Sequence, residues 1–207
     1  MTLTPNDAET FERCIAVGGV ALFPADTVYG LACEPDMDEA VARLYRLKGR
    51  QPDKPAAVMF FALDLALAAV PELGERTRAA LETLLPGGLT VLLPNPERRY
   101  PLACGPDPTT LGLRVPALSP TLAALHSVRW PVLQSSANHA GGPDAHDLAG
   151  VPEDIRRDVD LVLDGGALPG TSSTVVDLRA FERTRDWRIL REGAVSSGQI
   201  ADGLQGL

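Results

Sequence analysis

The chain has 207 residues, 45% apolar and 22% charged, and a net charge of −8 at neutral pH. That composition supports one sizeable core and argues against disorder, while the acidic balance excludes a general nucleic-acid binder, which needs a basic face to displace counterions. No apolar run reaches the roughly 18 residues of a membrane span, and the acidic start MTLTPNDAETFER is not a signal peptide. Cys14, Cys33 and Cys104 are odd in number and far apart. They form neither a disulfide framework nor a CxxC metal site, so a reducing cytoplasm fits best.

In chain order, Thr4-Pro5-Asn6-Asp7 predicts a helix start with a capping box, and Ala8, Phe11, Cys14 and Ile15 share its inward side up to Gly18-Gly19. Val20 to Phe23 predicts a buried strand that Pro24 ends. A turn at Ala25–Thr27 and a second extended run through Tyr29 and Leu31 follow. Asp36 and Glu39 predict a capping box for the next helix, whose stripe is Ala40, Val41, Leu44 and Leu47. Arg43 and Arg46 suit the negative end of the helix dipole, and Gly49 suits its C-terminus. Lys48, Arg50 and Lys54 lie at and beyond that end, where capping explains less. With Pro52 and Pro55 the stretch reads as extended, which would project Lys48 and Arg50 to the same side.

Ala56 to Ala62 predicts a buried strand, Glu75 to Leu85 a helix, and Leu89 to Leu93 a strand opening at Thr90. The segment 94–108 reads as irregular. Leu111 to Val115 is an apolar strand carrying Arg114, a charge that needs a partner or a cavity. A short helix from Ser119 to His126 precedes a strand, Pro131 to Ser136, that runs into Ser136-Ala137-Asn138. Hydroxyls and an amide at a strand's carboxyl end are where open α/β sheets bind ligands. His139 and His146 have no further soft ligand nearby and read as loop residues, not a metal pair. Two strands, Leu161–Leu163 and Val175–Leu178, flank a second hydroxyl cluster at Thr171–Thr174. The last strand, Trp187–Leu190, leads into Arg191, and Ser196 or Ser197 caps a closing helix.

The chain has no GxxxxGK[ST], GxGxxG, HExxH or GxSxG pattern, and no Ser-His-Asp or Cys-His arrangement stands out. Hydroxyls and cations without an activated nucleophile fit catalysis by positioning and charge stabilisation, as in phosphoryl or nucleotidyl transfer.

Seven stretches add a family resemblance: PADTVYGLA at 24–32, Lys48-x-Arg50 with Lys54-Pro55, PGGLTVLL at 86–93, LGLRVP at 111–116, Ser136-x-Asn138, SSTVVDL at 172–178 and ILREGA at 189–194. In this order they resemble the YrdC-type domain of threonylcarbamoyl-AMP synthases, in its short single-domain form, over residues 1–207. The resemblance implies a twisted mixed parallel and antiparallel sheet flanked by helices around a concave cavity. It implies the synthesis of threonylcarbamoyl-AMP and pyrophosphate from L-threonine, bicarbonate and ATP, for a partner machinery that modifies tRNA adenosine. By analogy Lys48 and Arg50 would be catalytic and hold the triphosphate, with Ser136, Asn138 and Arg191 on the nucleotide. Thr27, Tyr29, Lys54, Arg114 and Ser173 would line the threonine and carbamate end. Magnesium would accompany ATP rather than occupy a protein cage. Contact with tRNA would be weak or indirect. The chain departs from the family's frequent proline at Gly88 and leucine at Ala56. Alternatives are a carbamoyl-AMP-type transferase, an RNA-binding module, or a paralogue with the fold but without synthase activity.

Overall fold

The computed structural model describes residues 1–207 in full. Thr4 caps α1 (Pro5–Ala16) as its sequence predicts, accepting from the Asp7 amide while the Asp7 carboxylate accepts from the Thr4 amide. A cap of this kind contributes about 1 kcal/mol. Ala8, Phe11 and Ile15 are buried, and Cys14 is half-buried and packed against the same core. The antiparallel strands β1 (Ala21–Pro24) and β2 (Tyr29–Cys33) follow, with Pro24 the last paired residue, opposite Tyr29.

The start of α2 (Asp38–Leu47) differs from expectation. Met37 is its N-cap and no side chain caps it. Asp36 lies one residue outside, where its amide donates to Glu34 Oε1 at 3.4 Å. Arg43 does more than cap, pairing with the Asp160 carboxylate and donating to the Asp158 carbonyl. At the far end Gly49 turns the chain with φ +58°, a region glycine enters without strain. Lys48 itself is helical (φ −84°, ψ −11°), so it and Arg50 are not neighbours along an extended strand.

After α2 come β3 (Ala57–Met59), α3 (Leu63–Ala69), α4 (Glu75–Leu84), β4 (Leu89–Pro94), α5 (Pro101–Cys104) and β5 (Thr110–Arg114). The 94–108 segment is therefore not wholly irregular, because α5 interrupts it. The helix predicted near 119–126 is a 3-10 helix, Pro120–Ser127. The chain then forms β6 (Val132–Ser136), α6 (Glu153–Asp158), β7 (Leu161–Val162), β8 (Thr174–Asp177), α7 (Phe181–Thr184), β9 (Arg188–Arg191) and α8 (Ser197–Leu204). No helix is long and apolar enough to cross a membrane.

The nine strands form one mixed sheet in the order β7-β1-β2-β6-β3-β5-β4-β8-β9. Three pairs are parallel: β1 with β7, β3 with β5, and β4 with β8. Side chains alternate between the two faces. Leu22, Tyr29, Leu31, Val58, Val91 and Leu113 point into the larger core, beneath residues of α2, α4 and α8. Phe23, Ala32, Met59 and Phe61 point the other way, into a smaller core under α1 and the 3-10 helix. Phe11, Phe23 and Phe61 meet there with ring centroids 5.2 to 6.2 Å apart. Over β3, β5, β4 and β8 this second face holds a cavity instead.

Candidate active site

The cavity occupies about 420 Å³. Its floor is a cross-strand row, Gln134, Ala57, Gly112 and Leu92, set opposite one another by the register of β6, β3, β5 and β4. Small residues at the centre of that row leave the space open. Arg50, Arg114 and Arg191 line the walls, together with the hydroxyls of Thr90, Ser136 and Ser173 and two carboxylates, Asp107 and Asp144.

Arg114, on β5, is only 4% exposed. Its Nη2 donates to Asp26 Oδ1 at 2.7 Å and lies 3.4 Å from Thr27 Oγ1, while Nη1 donates to Gln134 Oε1 at 3.0 Å. Asp26 Oδ2 also accepts from the Ala117 amide at 3.2 Å. Arg114 Nε has no protein partner. Burial weakens the hold of this guanidinium on its proton, and the Asp26 charge opposes that. Gln134 in turn needs Gly30 beside it, because a Cβ there would come within 2.7 Å of Gln134 Nε2.

The wall opposite is built by Ser173 and the segment after β9. Thr90 Oγ1 and Ser173 Oγ are 2.8 Å apart, and Arg191 Nη2 donates to Ser173 O at 2.7 Å and Oγ at 3.2 Å. Residues 193–195 lie directly on 172–174. The Ala194 amide donates to Ser172 O at 2.9 Å, and a Cβ on Gly193 would meet that oxygen at 2.2 Å. Gly88, one of the two departures from the family pattern, sits beneath this segment. A Cβ there would reach 2.9 Å from Ala194 Cβ and 3.2 Å from Thr27 Cγ2. Ala56, the other departure, is on the cavity lining.

At the third wall Arg50 Nη2 donates to Pro55 O at 2.7 Å, its guanidinium lies 5.8 Å from the Tyr45 ring centroid, and its Nε is unpartnered. Lys48 is 1% exposed and does not line the cavity. Its Nζ donates to the Ser136 carbonyl, to Asn138 O at 2.8 Å and to Asn138 Oδ1 at 3.0 Å. Burial, reinforced by the Arg50 charge and opposed by Asp144, lowers the Lys48 pKa to about 8.

Five of the residues implicated by sequence therefore meet in one cavity: Arg50, Arg114, Ser136, Ser173 and Arg191. Thr27, Lys48 and Asn138 stand behind it, in contact with its lining. Two are elsewhere. Tyr29 shares the larger-core side of β2 with Leu31, and its hydroxyl is 2.9 Å from Gly166 O and 3.2 Å from Asp164 Oδ1. Lys54 is exposed on the 51–55 loop, off the cavity lining. Gln134 and Asp144 have no local signal in the sequence, and Asp26 shows there only as the carboxylate of the PADTVYGLA stretch. The demand of a strand-borne arginine for a partner points to a buried acceptor, but nothing local to Arg114 identifies Asp26.

A mixed sheet with an open, arginine-walled and hydroxyl-lined hollow defines an α/β protein whose cavity chemistry suits a small anionic ligand. The chain belongs to the Sua5/YciO/YrdC family: the sequence model of that family, described as "Telomere recombination", matches residues 13–193. A threonylcarbamoyl-AMP synthase of Chromohalobacter salexigens is 36% identical over 173 residues, covering 81% of this chain and 90% of that protein. One of Pyrococcus abyssi is 30% identical over 187 residues, covering 90% of this chain but 54% of that protein. The present chain thus spans about half the length of the Pyrococcus relative. The crystal structure of P. abyssi Sua5 complexed with L-threonine superposes with a TM-score of 0.85 at 27% identity, over 100% of this chain and 59% of that one.

Proposed function

We propose that the protein is an L-threonylcarbamoyladenylate synthase, a nucleotidyltransferase that converts L-threonine, bicarbonate and ATP to threonylcarbamoyl-AMP and pyrophosphate for modification of tRNA adenosine. The observation that carries this is the convergence of Arg50, Arg114 and Arg191 with the hydroxyls of Thr90, Ser136 and Ser173 in one cavity of this family's fold. Bicarbonate supplies CO2, which the threonine amine takes up to give a carbamate; the proton lost by the nitrogen and the hydroxide lost by bicarbonate leave together as water. The carbamate oxygen then forms a bond to the α-phosphorus as the bond to the bridging oxygen breaks, and pyrophosphate leaves with that electron pair.

Both reactants are anionic, so the protein must neutralise charge and keep water from the carbamate. Arg114, fixed on the cavity lining by Asp26 and Gln134, suits a carboxylate. Arg50 and Arg191 suit the phosphates. Charge develops on the departing pyrophosphate, so a cation aimed there favours the transition state over the ground state. Magnesium would arrive with ATP and share its phosphate charge. The cavity offers two carboxylates, Asp107 and Asp144. That set fits an ion held chiefly by phosphate oxygens and water.

The test is pyrophosphate release from ATP with each substrate omitted in turn. Release is expected only with both L-threonine and bicarbonate present. Equal release without either one would overturn the synthase reading.

A further inference from the structure

We infer that Lys48 is a positioning residue rather than a phosphate ligand: its buried ammonium gathers the Ser136–Asn138 loop into the shape that presents Ser136 to the nucleotide. The inference rests on the nucleotide reading above and refines the role of one residue within it.

An ammonium has three N–H donors and no acceptor. In Lys48 they face three oxygens, Ser136 O, Asn138 O and Asn138 Oδ1, which leaves none for a phosphate. A cation removed from water needs such partners, and carbonyl oxygens held by the fold supply them here. The network continues outward. Asn138 Oδ1 also accepts from Ser136 Oγ at 2.7 Å, and Asn138 Nδ2 donates to Gly142 O at 2.6 Å. The Ala140 amide closes the circuit by donating to Lys48 O at 2.8 Å. Within this network only Ser136 lines the cavity. Lys48 therefore reaches a ligand through the loop, whereas Arg50, two residues on, lines the cavity itself.

Lys48→Met keeps the stem and removes the ammonium. Two measurements separate a strut from a phosphate ligand. The first is amide hydrogen exchange over residues 136–142 in the ligand-free protein. The second is calorimetric affinity for AMP and for ATP, with Arg50→Met as the contrasting variant. Exchange is expected to accelerate at Ala137, Asn138, Ala140 and Gly142 while β3 keeps its protection. Affinity for AMP and ATP is expected to fall by the same factor, on the order of tenfold to a hundredfold. Arg50→Met is expected to weaken ATP more than AMP.

Unchanged exchange over 136–142, or a loss for ATP at least about tenfold greater than for AMP in Lys48→Met, would overturn the assignment. If the wild-type protein binds neither nucleotide, the proposed function fails, and the exchange measurement alone then decides the role of Lys48. Should Lys48→Met not fold, Asn138→Ala removes one of the three acceptors. It is expected to accelerate exchange over the same residues, and unchanged exchange there would again overturn the assignment.

Discussion

Asp26 and Arg114 are each 4% exposed at the side chain, so their ion pair is almost free of solvent screening. Asp26→Asn leaves the guanidinium buried with a neutral partner, and breaking such a pair costs about 3 to 5 kcal/mol. A clear fall in thermal midpoint and weakened L-threonine binding are expected, measured by calorimetry on the one variant. Arg50 and Arg46 make a second comparison. Arg50→Ala is expected to lower kcat/KM for ATP about a hundred- to a thousand-fold, the scale of one well-placed electrostatic group. Arg46, exposed and off the cavity, is expected to cost less than about fivefold on substitution by alanine, since surface charges contribute under roughly 1 kcal/mol.

Lys48 also predicts a pH dependence. Its folded pKa, about 8, lies below the 10.5 of a free lysine, so the unfolded chain binds more protons between those values and stability rises with pH there. Below pH 8 the cost of keeping Lys48 charged is at its full value, on the order of 3 kcal/mol. Cys14 and Cys33, pushed up to about 11 and 12 by burial, act in the opposite direction above pH 9. The test is therefore the difference between wild type and Lys48→Met in urea unfolding. It should shift in favour of wild type from pH 8 to 10.5, and a flat difference would contradict the shift. Much of this residue-level picture was legible in the chain: a charge among Leu111, Leu113 and Val115 announces a need. Its answer, Asp26, lies 88 residues away and could not be read locally. Tyr29 shows a further limit, because strand alternation alone decides that its ring faces the larger core, away from Arg114.

Elements with local signals formed where expected. Thr4 with Asp7 and Ser196 with Gln199 each complete a capping box, and both depend only on residues three apart. The helices α3, α5, α6 and α7 have no counterpart in the sequence reading. Each is 4 to 7 residues long, too short to display a repeating apolar stripe. The segment linking β9 to α8 lets packing and capping be separated. Ser196→Ala should cost about 1 kcal/mol of stability and leave pyrophosphate release near wild type, because the cap is exposed and off the cavity. Gly193→Ala drives a Cβ against the Ser172 carbonyl and lifts the segment from its seat, at about 1 to 3 kcal/mol. It should also lower turnover, because Arg191 loses its anchor on Ser173. A Gly193→Ala enzyme with wild-type turnover would show that this segment does not position Arg191.

The whole molecule carries a net charge of −8 while its cavity gathers three arginines. Small anions are therefore drawn to one place, and a long polyanion meets mostly repulsion. Binding to tRNA at physiological salt is expected to be weak. A log–log salt slope of about −5 or steeper in filter binding would show an extended phosphate-contacting face instead. The sheet order also imposes a schedule on the growing chain. β4 leaves the ribosome long before its parallel neighbour β8, and β1 long before β7, so the partners wait for residues separated by up to 140 positions. Pairings of such long range are slow to form, on the millisecond to second scale. Meanwhile the apolar edge LTVLL of β4 stands open, the kind of surface on which nascent chains misassemble. The cavity closes only when Arg191 arrives, so a nascent chain gains ligand-derived protection only after β8 and β9 have been made, later than its period of greatest exposure.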